Sequence, residues 1–294
     1  MWEGFFTRAG GQSRFARKGA DTTMATRPSV HRDHRTGRAA PRAPGLARIA
    51  CALALLAWAG TSRAGPPFVT DDPEPVDYGH WEINSAVTGT RSVGTTNAFA
   101  PQVDTNYGAA PGVQLHVQPQ VAYTSMGGSA STQHAYGLGD TELGIKLRLL
   151  DQAAGDGQWM LSFYPFYEVP TGNAARGLGA GAHSEYLPLW LQWAGGGWTT
   201  FGGGGYWINP GAGRRNAWAG GWAALYQFTA DLQLGGEVYA RTADSADSRT
   251  SAAFNIGGTY SLGKDTALLF SLGRGLVNTP GNQASGYFGL RVTH

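Results

Sequence analysis

Cysteine is almost absent from this chain of 294 residues: its single example, Cys51, lies inside an apolar run. Residues 65–294 hold none, which excludes disulfides, thiolate metal sites and cysteine nucleophiles there. Charge is scarce too, at 14%. No stretch repeats its apolar residues convincingly every 3.6 positions, so little helix is expected. Glycine (45 residues) and aromatics (10 Trp, 12 Tyr, 12 Phe) are abundant instead. Disordered Gly-rich chains are poor in aromatic residues; here the two are interleaved, as in a fold of many strands and tight turns.

The formal net charge of +2 hides an asymmetry. Residues 1–64 carry 11 of the 22 Lys and Arg and only three acids, Glu3, Asp21 and Asp33, which leaves 11 basic and 17 acidic residues in 65–294. Within the basic part, "IACALALLAWAG" (49–60) is a short apolar core preceded by Arg42 and Arg48, and "SRA" (62–64) follows as a small-x-small cleavage site. This is the three-part pattern of a secretory signal peptide, and the core is shorter than the ~20 residues of a membrane anchor. Export with cleavage after Ala64 is therefore expected, with Met24 as the natural start. Nucleic acid is not expected as a partner of the basic region.

Beyond Tyr78 the dominant period is two. In "VQLHVQPQVAY" (113–123), Val113, Leu115, Val117 and Val121 alternate with Gln114, His116, Gln118 and Gln120. "TELGIKLRLL" (141–150) sets Leu143, Ile145 and Leu147 against Glu142, Lys146 and Arg148. Alternation places one apolar and one polar face on each strand. Twelve such segments are predicted, at 80–90, 102–108, 113–124, 138–150, 158–169, 185–194, 197–208, 217–228, 232–242, 251–262, 266–274 and 285–293. Their connectors alternate between short turns and longer stretches (91–101, 125–137, 170–184, 209–216, 243–250, 275–284). That rhythm belongs to an up-and-down meander.

The polar faces carry Gln, Asn, Ser, Thr and Gly with few charges, too few for the outside of a soluble barrel this large. The fold class expected is all-β: a transmembrane up-and-down antiparallel barrel of about 12 strands over residues 80–294, apolar face toward lipid. Trp81, Trp159, Trp193, Trp198, Trp207, Trp218, Tyr260 and Tyr287 fall near segment ends and are expected in interfacial girdles. The last segment alternates Phe288, Leu290 and Val292 up to His294, a pattern suited to recognition by barrel-insertion machinery.

Several stretches together resemble one family: "PPFVTDDPEPVDYGHWEIN" (66–84), "GLGDTELGIKLRLL" (137–150), "PFYEVPTG" (165–172), "LQLGGEVYART" (232–242), "FNIGGTYSL" (254–262) and "LLFSLGRGL" (268–276). They resemble the proteobacterial outer-membrane barrel transporters labelled meta-pathway phenol-degradation-like, over about Phe68 to His294. The resemblance implies an outer-membrane location and a channel for passive uptake of small, hydrophobic or aromatic compounds. A closed structural, adhesion or partner-binding barrel is the alternative, and an outer-membrane hydrolase a weaker third.

The residues expected to line the lumen are Gln114, His116, Gln118, Gln120, Glu142, Lys146, Arg148, Glu168, Glu237 and Arg241, because a charge facing lipid at mid-depth costs ~2–4 kcal/mol. Asp71, Asp72, Glu74 and Asp77 form an acidic lead-in (65–79) ahead of the first strand. Pro73 and Pro75 keep it out of the sheet, since proline lacks a ladder donor. It is expected either beneath the barrel or folded into its periplasmic mouth as a plug. It lacks the regular acidic spacing of a calcium loop, so no metal site is expected, nor any cofactor or catalytic residue. His134 and His183 fall in predicted loops. Outer-membrane lipid and lipopolysaccharide are the expected surroundings, with Arg214 and Arg215 predicted near the lipopolysaccharide phosphates.

Overall fold

The computed structural model describes residues 66–127 and 132–294. The expected leader and cleavage site, residues 1–64, fall outside the described residues.

Fifteen ladder segments follow in chain order: β1 (Trp81–Ser92), β2 (Thr95–Ala110), β3 (Val113–Gln118), β4 (Gln120–Gly127), β5 (Thr132–Leu138), β6 (Thr141–Ala154), β7 (Gly157–Phe163), β8 (Phe166–Val169), β9 (Ser184–Gly195), β10 (Trp198–Ile208), β11 (Ala217–Gln227), β12 (Leu232–Arg241), β13 (Ser251–Ser261), β14 (Thr266–Val277) and β15 (Ala284–Thr293). β3 and β4 are parted only at Pro119, β5 and β6 at Gly139–Asp140, and β7 and β8 at Tyr164–Pro165. Each pair crosses the wall as one strand, so the wall has 12 strands. All pair antiparallel with their sequence neighbours, and β1 pairs with β15 from Glu82↔Thr293 to Arg91↔Ala284, closing the barrel. The breaks at Pro119 and Pro165 follow from the missing proline N–H. Their carbonyls still bond across the wall, accepting from Val103 N (3.1 Å) and Ile145 N (3.2 Å).

The period of two sets the faces. Ile83, Val87, Leu115, Leu143, Leu189, Val238, Ile256, Leu272, Phe288 and Leu290 are exposed on the outer surface, where a bilayer would cover them. The polar faces point inward, and they meet side chains there rather than an open channel. One buried cluster joins Tyr164, Tyr186, Trp190, Trp207, Ala217, Ala219, Tyr239 and Ala253; another joins Phe68 to Phe201, Ala223 and Leu225. The core of this protein is thus inside its barrel.

Three expectations about the wall need correction. The second strand is not the short 102–108 but Thr95–Ala110, and the expected loop 91–101 is a tight hairpin around Val93 and Gly94 (φ 75°). The expected loop 125–137 is likewise mostly strand, through Gly127 and again from Thr132. Both additions are polar strand ends, which apolar alternation does not mark. Trp207 and Tyr287 belong to the lumen rather than the outer girdle, at 0% and 8% exposed. Trp207 shares its face with the buried Phe201, and Tyr287 shares its face with the buried Arg291. Trp81, Trp159, Trp198, Trp218 and Tyr260 do lie on the outer surface, while Trp193 is half-buried.

The glycine run of β10 lets its two neighbours close in. Gly203 adopts φ 155°, and a Cβ there would collide with the Leu189 carbonyl oxygen of β9. Gly203→Val is expected to cost about 1–3 kcal/mol in strain, lowering the urea midpoint of the barrel in lipid vesicles. An unchanged midpoint would mean that the β9–β10 ladder relaxes freely.

Candidate functional site

The acidic lead-in occupies the lumen. Arg291 Nη2 on β15 donates to the Pro66 carbonyl (3.1 Å), and Ser271 Oγ on β14 to that of Pro67 (2.7 Å). Phe68 packs against Phe201 of β10 and Ala223 and Leu225 of β11. The backbone N–H groups of Val69 and Thr70 then donate to the two oxygens of Glu237 on β12, at 2.8 and 2.7 Å. Farther along, Ser162 Oγ on β7 donates to the Pro73 carbonyl, and Val76 N donates to Gln114 Oε1 on β3 (2.8 Å). The segment leaves past β2, where Gly79 N donates to the Gly108 carbonyl (2.8 Å). Gly108 is required there, because a Cβ would strike the Asp77 carbonyl oxygen. Residues 66–76 are therefore largely buried, while Asp77 through His80 are exposed at the short-turn end, the periplasmic end of such barrels.

Pro73 and Pro75 suit this path. With no N–H on those residues, the segment brings fewer unpaired donors into the lumen. Most of the wall's grip is on main-chain atoms, through side chains that strand alternation aims inward. A carboxylate holding two N–H groups is the strongest of these, since hydrogen bonds to charged groups contribute about 1.5–3 kcal/mol each.

Charge is balanced inside. Lys146 on β6 lies 3.2 Å from Asp71 Oδ1 and 3.6 Å from Asp72 Oδ1, bonds the Glu74 carbonyl (3.4 Å), and sits 4.5 Å from the Tyr164 ring centre. Asp72 is 1% exposed, and burial pushes its carboxyl well above the usual range; Lys146 opposes the shift, while Asp71 and Glu74 reinforce it. Asp71 is raised for the same first reason, against the pull of Lys146. Beside them, His116 lies between Asp104 Oδ1 (3.0 Å) and Glu142 Oε1 (3.1 Å). Asn84 and Asn106 both donate to Asp104, at 3.1 and 2.7 Å. The resulting polar network extends to Arg291, which bonds Asn84 (3.1 Å) and lies 3.4 Å from Glu82.

The remaining expected lining residues sit as follows. Gln118 is buried, and Gln120 accepts from the buried Gln102 (2.9 Å). Glu168 accepts from Ser184 Oγ, and Arg241 pairs with Asp244 (3.2 Å) over the Trp207 ring (5.2 Å). Arg148 is a correction: it is exposed at the short-turn rim, paired with Asp151 (3.1 Å). It keeps the inward parity of Lys146, opposite the lumen-facing Ser162, but β3 stops pairing with β6 at Val113↔Leu147, so the side chain emerges past the end of the wall. At the loop end, His134 bonds Tyr123 (2.8 Å) and His183 stacks on Tyr167 (5.5 Å). Arg214 turns back onto Ala182 and Asn209, and Asp140 ties the 170–183 connection through Gly172 N (2.8 Å) and Ala180 N (2.6 Å). Sequence reading missed Ser162, Ser271 and Arg291, whose inward parity was available, and Asp104 and Asn106, which lie in the strand hardest to see.

Between the segment and β1, β2 and β12–β15 lies a cavity that is partly open to solvent. Pro67 and Phe68 form one wall; Phe99, Tyr239 and Tyr287 bring aromatic faces from three strands.

Two outcomes follow from the buried charges. Lys146→Met leaves Asp71 and Asp72 buried without their cation, which is expected to cost about 3–5 kcal/mol of segment seating. In planar bilayers this variant should carry more ionic current than the parent; an equal current would mean that Lys146 does not hold the segment. The two aspartates also give seating a pH dependence. Their pKa values are higher seated than free, so seating gains from their protonation, and that gain is lost as pH rises above the free-aspartate value of about 3.9. A spin label at residue 76 should become more mobile as pH rises through the shifted range. Greater mobility on acidification would contradict this sign.

A family model described as "Putative MetA-pathway of phenol degradation" matches residues 64–291. No curated protein matches the chain. Among solved structures, the COG4313 outer membrane channel from Pseudomonas putida F1 is 17% identical, covers 79% of this chain and 99% of its own, and superposes with a TM-score of 0.61, a likeness of fold. The CymD monoaromatic hydrocarbon channel is 8% identical over 74% of this chain and 88% of its own, with a TM-score of 0.36. OmpT, an outer membrane protein of Vibrio cholerae, is 10% identical over 73% and 96%, with a TM-score of 0.34. Fold and family place the barrel in the outer membrane. The family match takes in the lumen segment and nearly the whole wall, and the chain belongs to this phenol-degradation family.

Proposed function

We propose that this chain is an outer-membrane channel for passive uptake of small apolar molecules about the size of a single ring, closed in the present state by residues 66–76. The cavity carries this reading. It lies inside the wall and is lined mainly by apolar and aromatic surface, Phe68, Phe99, Tyr239 and Tyr287 among it. A strongly hydrated solute would have to displace polar groups that already bond one another, such as Asn84 with Asp104 and Asn106 with Gln114. An apolar ring makes no such demand.

Passage beyond the cavity requires the segment to move. Its grip is polar and local, and only Phe68 and Val69 pack against buried apolar clusters of the wall. That is compatible with withdrawal toward the periplasmic mouth. Export through a cleaved leader ending at Ala64 would free the segment's N-terminal end for this motion. We assign the alternating last strand to recognition by the insertion machinery, and the exposed Arg215 at the loop end to contact with lipopolysaccharide phosphates.

A closed structural or adhesion barrel is the second reading, favoured by the fully buried Trp190 and Trp207 that pack part of the lumen. The two diverge on uptake. A strain lacking the chain should take up a radiolabelled monocyclic aromatic more slowly, with uptake restored by the parent gene and raised further by deletion of residues 68–77. Uptake indifferent to all three genotypes would favour the closed barrel.

A further inference from the structure

We propose that Arg91 and Arg274 form a binding site for the phosphates of lipopolysaccharide on the outer wall, and that the bound lipid braces the seam where the first strand meets the last. The site faces lipid, so it stands apart from the channel reading and from the loop contact assigned to Arg215.

Strand alternation puts both arginines on the outside. Arg91 shares its face of β1 with the exposed Ile83 and Val87, while its neighbour Thr90 is buried. Arg274 shares its face of β14 with Leu272 and Leu276, which are 75% and 52% exposed. Both arginines are themselves exposed. Every other Lys or Arg among the described residues points into the lumen or lies at a rim or in a connector. The two are also neighbours. Arg91 pairs with Ala284 of β15. Gly273 pairs with Ser285, so Arg274, one residue on, comes level with Ala284 from the other side. Two strand spacings, about 10 Å, part their backbones, and two long side chains can reach one headgroup across that gap.

The protein does not neutralise this pair. Residues 83–103, 251–261 and 266–293, which build that stretch of wall, hold no Asp or Glu. Neither guanidinium has a hydrogen-bond or ion-pair partner among the described residues. A cation turned toward lipid is unfavourable, least so near the interface. Arg91 is one residue from the loop end of β1, and Arg274 three from that of β14. At that level the outer leaflet supplies phosphate, which a guanidinium grips through two parallel hydrogen bonds. Toward mid-wall, Gly89 pairs with Gly286 and Val87 with Phe288. The glycines raise no side chain between the arginines and that apolar surface, so an acyl chain can lie on it while its headgroup is held above. A free anion would gain only the arginines.

The brace follows from where the two residues sit. Arg91 is on the first strand and Arg274 on the last but one, with β15 between them. The main chain of Arg91 is already fixed to the 278–283 connection, its carbonyl accepting from Gln283 N (2.7 Å) while Val93 N donates to Pro280 (2.8 Å). A ligand gripped by both arginines spans the closing ladder. It binds the closed barrel and not the opened chain, and so stabilises closure by mass action.

The test uses the full chain in detergent micelles, followed by native mass spectrometry and by urea unfolding. Lipid A carrying its phosphates should be retained by the parent and should raise its urea midpoint. Arg91→Gln/Arg274→Gln should weaken retention about tenfold for each arginine and abolish the rise. Arg91→Lys/Arg274→Lys should keep part of both effects. Lys264→Gln, in the exposed turn at the other end of β14, should change neither. If the double Gln variant does not fold, Arg274→Gln alone decides, with retention about tenfold weaker expected. Parent-like retention by the Gln variants, or equal retention of lipid A stripped of its phosphates, overturns the site. Displacement of lipid A by equimolar inorganic phosphate would mark a free-anion site and overturn the lipid assignment. Retention with no rise in the midpoint would overturn the brace.

Discussion

A barrel wall in a bilayer sends its polar side chains inward, because lipid cannot receive them. With 12 strands the interior is too narrow for a wide aqueous bore and too wide to be filled as the smallest barrels are. The rest of this structure answers that constraint. Part of the interior is packed with Trp190, Trp207 and Tyr186; another part is a network around Asp104 and His116. A third set, Gln114, Ser162, Glu237, Ser271 and Arg291, bonds the main chain of residues 66–76. The segment is the component that makes the inward-facing set self-consistent.

Seen this way, Glu237 and Lys146 share one task from opposite walls. Glu237 would be an isolated buried carboxylate without the amides of Val69 and Thr70 and the amide of Asn255. Lys146 would be a buried cation without Asp71 and Asp72. Each wall charge needs the segment, and the segment's acids need Lys146. Such reciprocal dependence favours two discrete arrangements, seated and withdrawn, over a gradual loosening.

The sequence showed the wall well and its contents poorly, for physical reasons. Alternation is a property of each strand alone, so "VQLHVQPQV" and "TELGIKLRLL" announced their faces without any knowledge of partners. Parity is fragile where the chain ends a span. Trp207 and Tyr287 looked interfacial by position, but they share faces with lumen residues. Arg148 has inward parity, but β6 runs past the end of its neighbour β3 there, so the side chain emerges at the rim. The seat of the acidic segment had no pattern to reveal it, because the wall holds it mostly by main-chain N–H and C=O groups, which every sequence has. The cavity was invisible for a related reason: its lining comes from six strands and three segment residues that no local window brings together.

The central claim is that residues 66–76, seated against the wall, are the seal. Gly221 on β11 faces Thr70 so closely that a Cβ there would strike the threonine hydroxyl. A Thr70→Cys/Gly221→Cys pair in the Cys51→Ser background therefore joins segment to wall. In planar bilayers, the oxidised protein should remain closed under conditions where the parent opens, such as elevated pH, and reduction should restore its current. Equal current before and after reduction, with the crosslink confirmed by mass, would contradict the account.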